Sequence, residues 1–559
     1  MWYTLILLVV TALICYPQNN YHIQSFGQEF FEWRKTTQPC SGDDILRVER
    51  PDNWAPDYSP EALATSRAKY IEFSQKLKDI SQENWSVTDS ADYLLLRSAI
   101  ERVNWELNVL KLPNRNPDFY VHQTLGAVFE LLLIHSPIDK KRTENIIHRL
   151  KSIPSTLKHA KVNLTEPIKP FAEIALRKLN NIRKRFYELR DALNGLFPQE
   201  LYAQLNSAIE HSVIALENYA TWIKKQLPAM QTSFSIGRKG YEYFLKNVAL
   251  IPYTPEELLS MGKQEWDRSV AFGIYENKRN KDIPELELFS SAEKQITAEQ
   301  VGEESIRNFL EEKDILTIPE WVNHYKFVKT PDYFAPLSFM GVNDDLTSEK
   351  RLDEDAVRYI REPSPNLGYF SLATAKDPRP LIIHEGIPGH YLQLVLSWSN
   401  TDPIRRRFFD SGPIEGIAFY VEELLLQYGL FDESPRTREI IYSFMRLRAL
   451  RVDVDINLAL GNYNIIDAGK YLAATVPMDL QTGIQEAGFF AYNPGQAITY
   501  QIGKIQIIKL ISDAKILLGD NFNLKDFHNY MMVNGNVPVA LMRWEYLGLK
   551  DEIALLWPE

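Results

Sequence analysis

Cysteine is nearly absent: the 559 residues contain two, Cys15 and Cys40. That excludes a disulfide scaffold and any zinc site built on four thiolates. A metal held by this chain must rest on His, Asp and Glu. Basic excess is also lacking. The 62 Lys and Arg stand against 73 Asp and Glu, a formal charge of −11. Binding to a phosphate backbone draws on Lys and Arg, so no nucleic-acid partner is expected. No G-x-G-x-x-G or P-loop pattern follows a strand-like run, which leaves nucleotide chemistry without a motif. Long apolar runs are missing too. Leu5–Cys15 spans 11 residues, short of the ~20 that a membrane helix needs, and reads as the apolar part of a signal segment within residues 1–20. Cys15 at its end suits a lipoprotein signal. Export is therefore expected, to the periplasm or to a membrane reached only through the N-terminus, with a cytoplasmic location as the alternative. Cys40 is then left alone, and no structural disulfide is expected.

What the chain does have is helical text. Apolar residues recur at a 3.6-residue period over 60–80, 89–112, 142–159, 170–193 and 198–227, the pattern of packed amphipathic helices. Thr254 followed by Pro255-Glu256-Glu257 marks a helix start. Strand-like text is limited to 321–328 and 369–374. The expected fold is mostly α, a large helical clamshell with a small β-sheet beside a metal cleft. An N-terminal helical lobe would occupy 45–240 and a catalytic helical lobe 241–559.

One close pair of histidines stands out among the ten in the chain, in His384-Glu385-Gly386-Ile387-Pro388-Gly389-His390. A His-Glu dipeptide with a second His one turn on is the zinc-binding pattern of metallopeptidases, where the Glu acts on the metal's water. Here the second His comes six residues on instead of four. On a regular helix, at about 100° per residue, the two side chains would point about 120° apart. Pro388-Gly389 offers a way out, because Pro breaks a helix and Gly tolerates irregular backbone. A bulge there would restore the register. The third ligand is left open by the pattern. His324 and His528 have no motif around them. Glu415 and Glu422, seven residues apart, border the apolar face of a helix that Ser411, Gly412 and Pro413 would start. Asp410 is a further carboxylate in the connecting loop. Downstream, Arg448, Arg451 and Asp455 share one helix face, as an internal ion-pair ladder or as support for a site. Tyr500 follows a Pro-Gly break and reads as core or as an oxyanion donor.

Four ordered segments, HEGIPGHYLQ, EGIAFYVEELLLQYGL, RALRVDVDINLAL and NPGQAITYQIG, resemble the signatures of the bacterial domain-of-unknown-function family 885. The resemblance runs over roughly 45–555. That family is similar to the helical gluzincins, which are α-rich zinc peptidases. The resemblance implies His384, His390 and Glu415 as ligands of one Zn²⁺, Glu385 as general base and Tyr500 as oxyanion donor. It implies Glu422, Arg448, Arg451, Asp455, Gln496 and Phe370 as supporting or substrate-binding residues. Residues 368–371 would form an edge strand along the substrate, and Arg448 or Arg451 could take a terminal carboxylate. The chain departs from the family pattern at Ile417, Ala459 and Phe489-Phe490. The expected activity is hydrolysis of short peptides by a zinc metallopeptidase. A zinc hydrolase of a non-peptide amide or ester, or an inactive substrate-binding homologue, is the alternative.

Overall fold

The computed structural model describes residues 20–41 and 48–557. The run Leu5–Cys15 lies outside them. The fold is mostly α, with one small sheet. Local sequence explains the helix ends. Thr254 and Glu257 form a reciprocal capping box that starts Pro255–Arg279, and Ser86 with Asp89 does the same for Val87–Asn104. The periodic segments become the helices Pro60–Lys78, Lys140–Asn163 and Tyr202–Gln226. The expected helix over 170–193 is two, Lys169–Lys178 and Ile182–Asn194. Asn181 between them takes a left-handed backbone, φ 58°, which Asn tolerates better than most residues.

Three short strands form the sheet: β1 (Tyr325–Lys329), β2 (Asp344–Asp345) and β3 (Ala356–Ile360). Their order is β1-β3-β2, with β1 parallel and β2 antiparallel to the central β3. The 321–328 reading thus finds its strand. The 369–374 reading does not. Tyr369–Thr374 is a helix, so no edge strand lies at 368–371. Tyr369 and Phe370 instead pack their rings on Phe444, with centroids 5.7 and 5.3 Å away, and the Tyr369 hydroxyl meets Ser443 Oγ at 2.6 Å. Packing against the Pro435–Leu460 helix overrides the strand preference of two aromatic residues.

The largest apolar core joins Ile23 at one end of the chain to Leu556 at the other. Its members lie on both sides of residue 240, the boundary read from the sequence. Two helices, Ser411–Gln427 and Thr499–Leu518, cross at Gly416 and Gly503. A Cβ on Gly416 would sit 2.7 Å from Gly503 Cα, so the backbones meet directly. That contact sets the segment carrying Glu415 against the one carrying Tyr500. Cys40 is a free, buried thiol. Among the described residues no helix is long and apolar enough to cross a membrane.

Candidate metal centre

The two histidines do not share one bulged helix. A turn of π-helix, Ile382–Gly386, ends at an extended Ile387, φ −122° and ψ 126°. A residue before proline is driven to that region. A new helix then starts at His390 and runs to Ser399. Gly389 lies so close to the preceding turn that a Cβ would stand 1.9 Å from the His384 carbonyl oxygen. A break in place of a bulge thus removes the 120° misfit. The rings of His384 and His390 lie edge to face, 4.7 Å between centroids.

Glu415 completes the set. Its Oε2 is 3.5 Å from His384 Nε2 and 3.4 Å from His390 Nε2. One donor atom from each of the three residues fits within 4.8 Å of the others, the arrangement of a single-ion site. All three are buried. Both ring nitrogens of His390 and Oε2 of Glu415 lack a hydrogen-bond partner in the protein. Buried polar atoms with no partner are costly, and a cation would satisfy them. Two imidazoles and one carboxylate are a donor set for zinc. Residues and group therefore fit. Asp410, the rival carboxylate, is elsewhere engaged. It caps the Ser411–Gln427 helix by accepting from Gly412 N at 2.8 Å, and it pairs with Arg102 at 2.7 Å. The cap is thus Asp410 and not Ser411. His324 pairs with Glu303, and His528 sits between Tyr420 and the Ile315 carbonyl.

Behind His384, Glu422 Oε1 lies 2.7 Å from Nδ1. Arg448 closes that contact, with Nη1 and Nη2 at 3.0 and 2.9 Å from the two oxygens of Glu422. Burial and Arg448 push the His384 imidazole down, but the neighbouring carboxylates of Glu415 and Glu422 outweigh them and hold it at about 9. Burial pushes Glu415 up, and His390 with His384 more than reverses this, leaving its carboxyl well below the usual range. Glu385, next to His384, points differently: its side chain is 13% exposed.

The other expected residues spread over two neighbouring groups. Tyr500 stacks parallel to the His384 ring at 6.1 Å, with Arg451 4.7 Å from its centroid. Arg451 bonds Glu486 at 2.5 Å and faces Phe370 at 5.7 Å. Asp455 is a structural anchor. It accepts from Gly495 N and Ala497 N, both at 2.8 Å, and so shapes the turn that leads into Tyr500. Gln496 in that turn, with Ser411, lines a pocket walled by Trp105, Phe119 and Phe244. The sequence reading missed Tyr325, Asp344 and Arg358, which reach the centre from the sheet.

Two solved structures share this fold. A candidate lipoprotein of unknown function from Shewanella oneidensis superposes with a TM-score of 0.72 at 16% identity, covering 94% of this chain and 99% of its own. A candidate lipoprotein from Colwellia psychrerythraea gives 0.74 at 17% identity, covering 94% and 97%. No curated protein matches the chain in sequence. The profile of the family described as "Bacterial protein of unknown function" matches residues 42–304 and 355–545, and with most of its length matched, the chain belongs to this family, DUF885.

Proposed function

We propose that the protein is a zinc-dependent metallopeptidase that hydrolyses short peptides. The observation that carries the proposal is the buried convergence of His384, His390 and Glu415 within 4.8 Å, with the orphaned atoms of His390 and Glu415 inside it. A zinc ion held there supplies Lewis acidity and water acidified to a pKa of about 7. Glu385 takes a proton from the attacking water and passes it to the leaving amine. Tyr500 donates its hydroxyl to the scissile carbonyl oxygen as charge develops there. Glu422 and Arg448 hold the His384 ring so that Nε2 faces Glu415. Arg451 is matched by Glu486 and Arg448 by Glu422, which argues against either as the seat of a terminal carboxylate. The aromatic wall of the pocket at Gln496 would favour apolar side chains. Export of the protein is part of the same proposal. The apolar run before Cys15 and the two candidate lipoproteins of like fold support it.

The test is metal analysis joined to a peptide-library digest. Protein purified without chelators should carry one zinc per chain and cut library peptides, and Glu385→Gln should keep the zinc and lose turnover. Protein that neither holds nor takes up zinc overturns the proposal, as does a Glu385→Gln variant that cuts like wild type. Zinc-loaded wild type that leaves every peptide whole would redirect it to a non-peptide amide or ester.

A further inference from the structure

Tyr325 of β1 and Arg358 of β3 meet the turn that carries Glu385, and Asp344 of β2 ties the two together. Asp344 of β2 stands opposite Arg358 of β3 in register. Arg358 Nη1 donates to Asp344 Oδ2 at 2.5 Å, and the Tyr325 hydroxyl of β1 donates to Asp344 Oδ1 at 2.6 Å. The same Nη1 is 3.7 Å from Glu385 Oε1, an ion-pair distance beyond hydrogen-bond length. Tyr325 makes a second contact. Its ring lies against Gly386, where a Cβ would stand 2.7 Å from it. The sheet thus touches the turn twice, once at the backbone of Gly386 and once at the carboxylate of Glu385.

The burial pattern assigns the parts. Tyr325 and Asp344 are buried, while the side chains of Arg358 and Glu385 are 16% and 13% exposed. Asp344, itself held by Tyr325, fixes Arg358 Nη1 from inside, and the same Nη1 faces Glu385. Arg358 Nη1 bears on Oε1 of Glu385, and Oε2 is buried with no protein partner. We infer that the three-stranded sheet positions the general base: Arg358, locked by Asp344 and Tyr325, holds Oε1 of Glu385 and leaves Oε2 for the proton it moves. Arg358 is a positioning residue, acting through Glu385. Its charge comes on a rigid planar guanidinium, which a lysine would replace only in part. The inference rests on the peptidase reading for its kinetic consequence but not for the placement itself.

The test uses the full-length, zinc-loaded chain. Arg358→Gln should keep one zinc per chain and lose kcat on the order of 10²-fold, the cost of a misplaced group, with KM hardly changed. Arg358→Lys should recover part of that kcat. Wild-type kcat in Arg358→Gln overturns the inference. So does a loss confined to KM, which would make Arg358 a substrate-binding group. Should Arg358→Gln fail to fold, Tyr325→Phe removes only the hydroxyl that holds Asp344. It should lower kcat less, again at constant KM, and an unchanged kcat counts against the lock. A crystal structure of whichever variant folds reads the placement without any turnover. The Glu385 carboxylate should leave its wild-type position, and one still in place overturns the inference. Zinc-loaded wild type that cuts no peptide would sink the proposed function alone, and the crystallographic result would still decide this one.

Discussion

His384 is held between two carboxylates, with Glu422 Oε1 2.7 Å from Nδ1 and Glu415 Oε2 3.5 Å from Nε2. A ring proton on Nδ1, aimed at Glu422, leaves the Nε2 lone pair for a cation, while Arg448 Nη2, 3.2 Å from Nδ1, competes for that nitrogen. Glu422→Gln keeps the shape but removes the charge that fixes this tautomer. Zinc affinity should fall about 10–100-fold, measured by competition with a chromophoric chelator. Glu422→Ala should also strand the buried Arg448 without its carboxylate, at about 3–5 kcal/mol of stability by urea unfolding. Wild-type zinc affinity in Glu422→Gln would remove Glu422 from the orienting role.

The ligand set makes a second prediction that needs no substrate. Zinc that binds only the folded state stabilises it, by about 2.7 kcal/mol at a concentration 100 times Kd. Wild-type protein stripped with chelator should regain that stability on adding zinc. His390→Ala and Glu415→Gln should show no such gain, although each folds to the same helical content by circular dichroism. Equal zinc stabilisation in all three proteins would mean that the metal binds elsewhere.

The helices were legible because each carries its own signal. Thr254 and Glu257 announce a cap, and the apolar stripe over 198–227 announces a buried face. The cluster that could hold a metal was legible by residue type: with two cysteines in the chain, His384, His390 and a nearby carboxylate had few rivals. Less could be read of how they come together. A helix break and a helix bulge have the same sequence, Pro-Gly, and only packing against the His384 carbonyl decides between them. Residues 369–374 read as strand because Tyr369 and Phe370 favour strands, and packing on Phe444, more than 70 residues on, goes with a helix instead. Tyr325 fell inside the 321–328 strand reading without a sign of its role, and Arg358 and Asp344 left no trace, since β2 has two residues and β3, AVRYI, is buried at nearly every position and does not alternate.

Glu299 gives a pH-dependent prediction away from the centre. It is buried on the Ala292–Glu312 helix, where Oε2 accepts from Phe327 N of β1 at 3.0 Å and Oε1 has no partner. Burial pushes its carboxyl up, the Phe327 bond and Lys326 pull it down, Glu303 adds repulsion, and the balance stands at about 8 against an ordinary 4.5. Between those values the unfolded chain has lost the proton and the folded chain keeps it. Stability therefore falls as pH rises through this window and flattens above it. Glu299→Gln can still accept from Phe327 N and cannot ionise. Its urea midpoint should pull ahead of wild type steadily from about pH 5 to about pH 8. A gap that stays constant across that range would show that Glu299 does not titrate there.

Gly389 and Gly273 make a matched pair for the last prediction. A Cβ on Gly389 would stand 1.9 Å from the His384 carbonyl oxygen and 2.4 Å from that of Ile383. Both obstacles are backbone, so nothing can swing aside. The turn must open for Gly389→Ala to fold, and opening it moves His390 away from His384. A Cβ on Gly273, inside the Pro255–Arg279 helix, would meet nothing within 4 Å. Gly273→Ala should therefore stabilise by about 0.5–1 kcal/mol through the lower entropy of the unfolded chain. Gly389→Ala should lose one-to-one zinc binding, either with the fold or ahead of it. Zinc titration followed calorimetrically, with Gly273→Ala as the control, separates a clash at the centre from a general cost of alanine. A Gly389→Ala protein that binds zinc as wild type does would mean that the break between the two histidines has room to spare, and the close-packed turn would no longer explain how they meet.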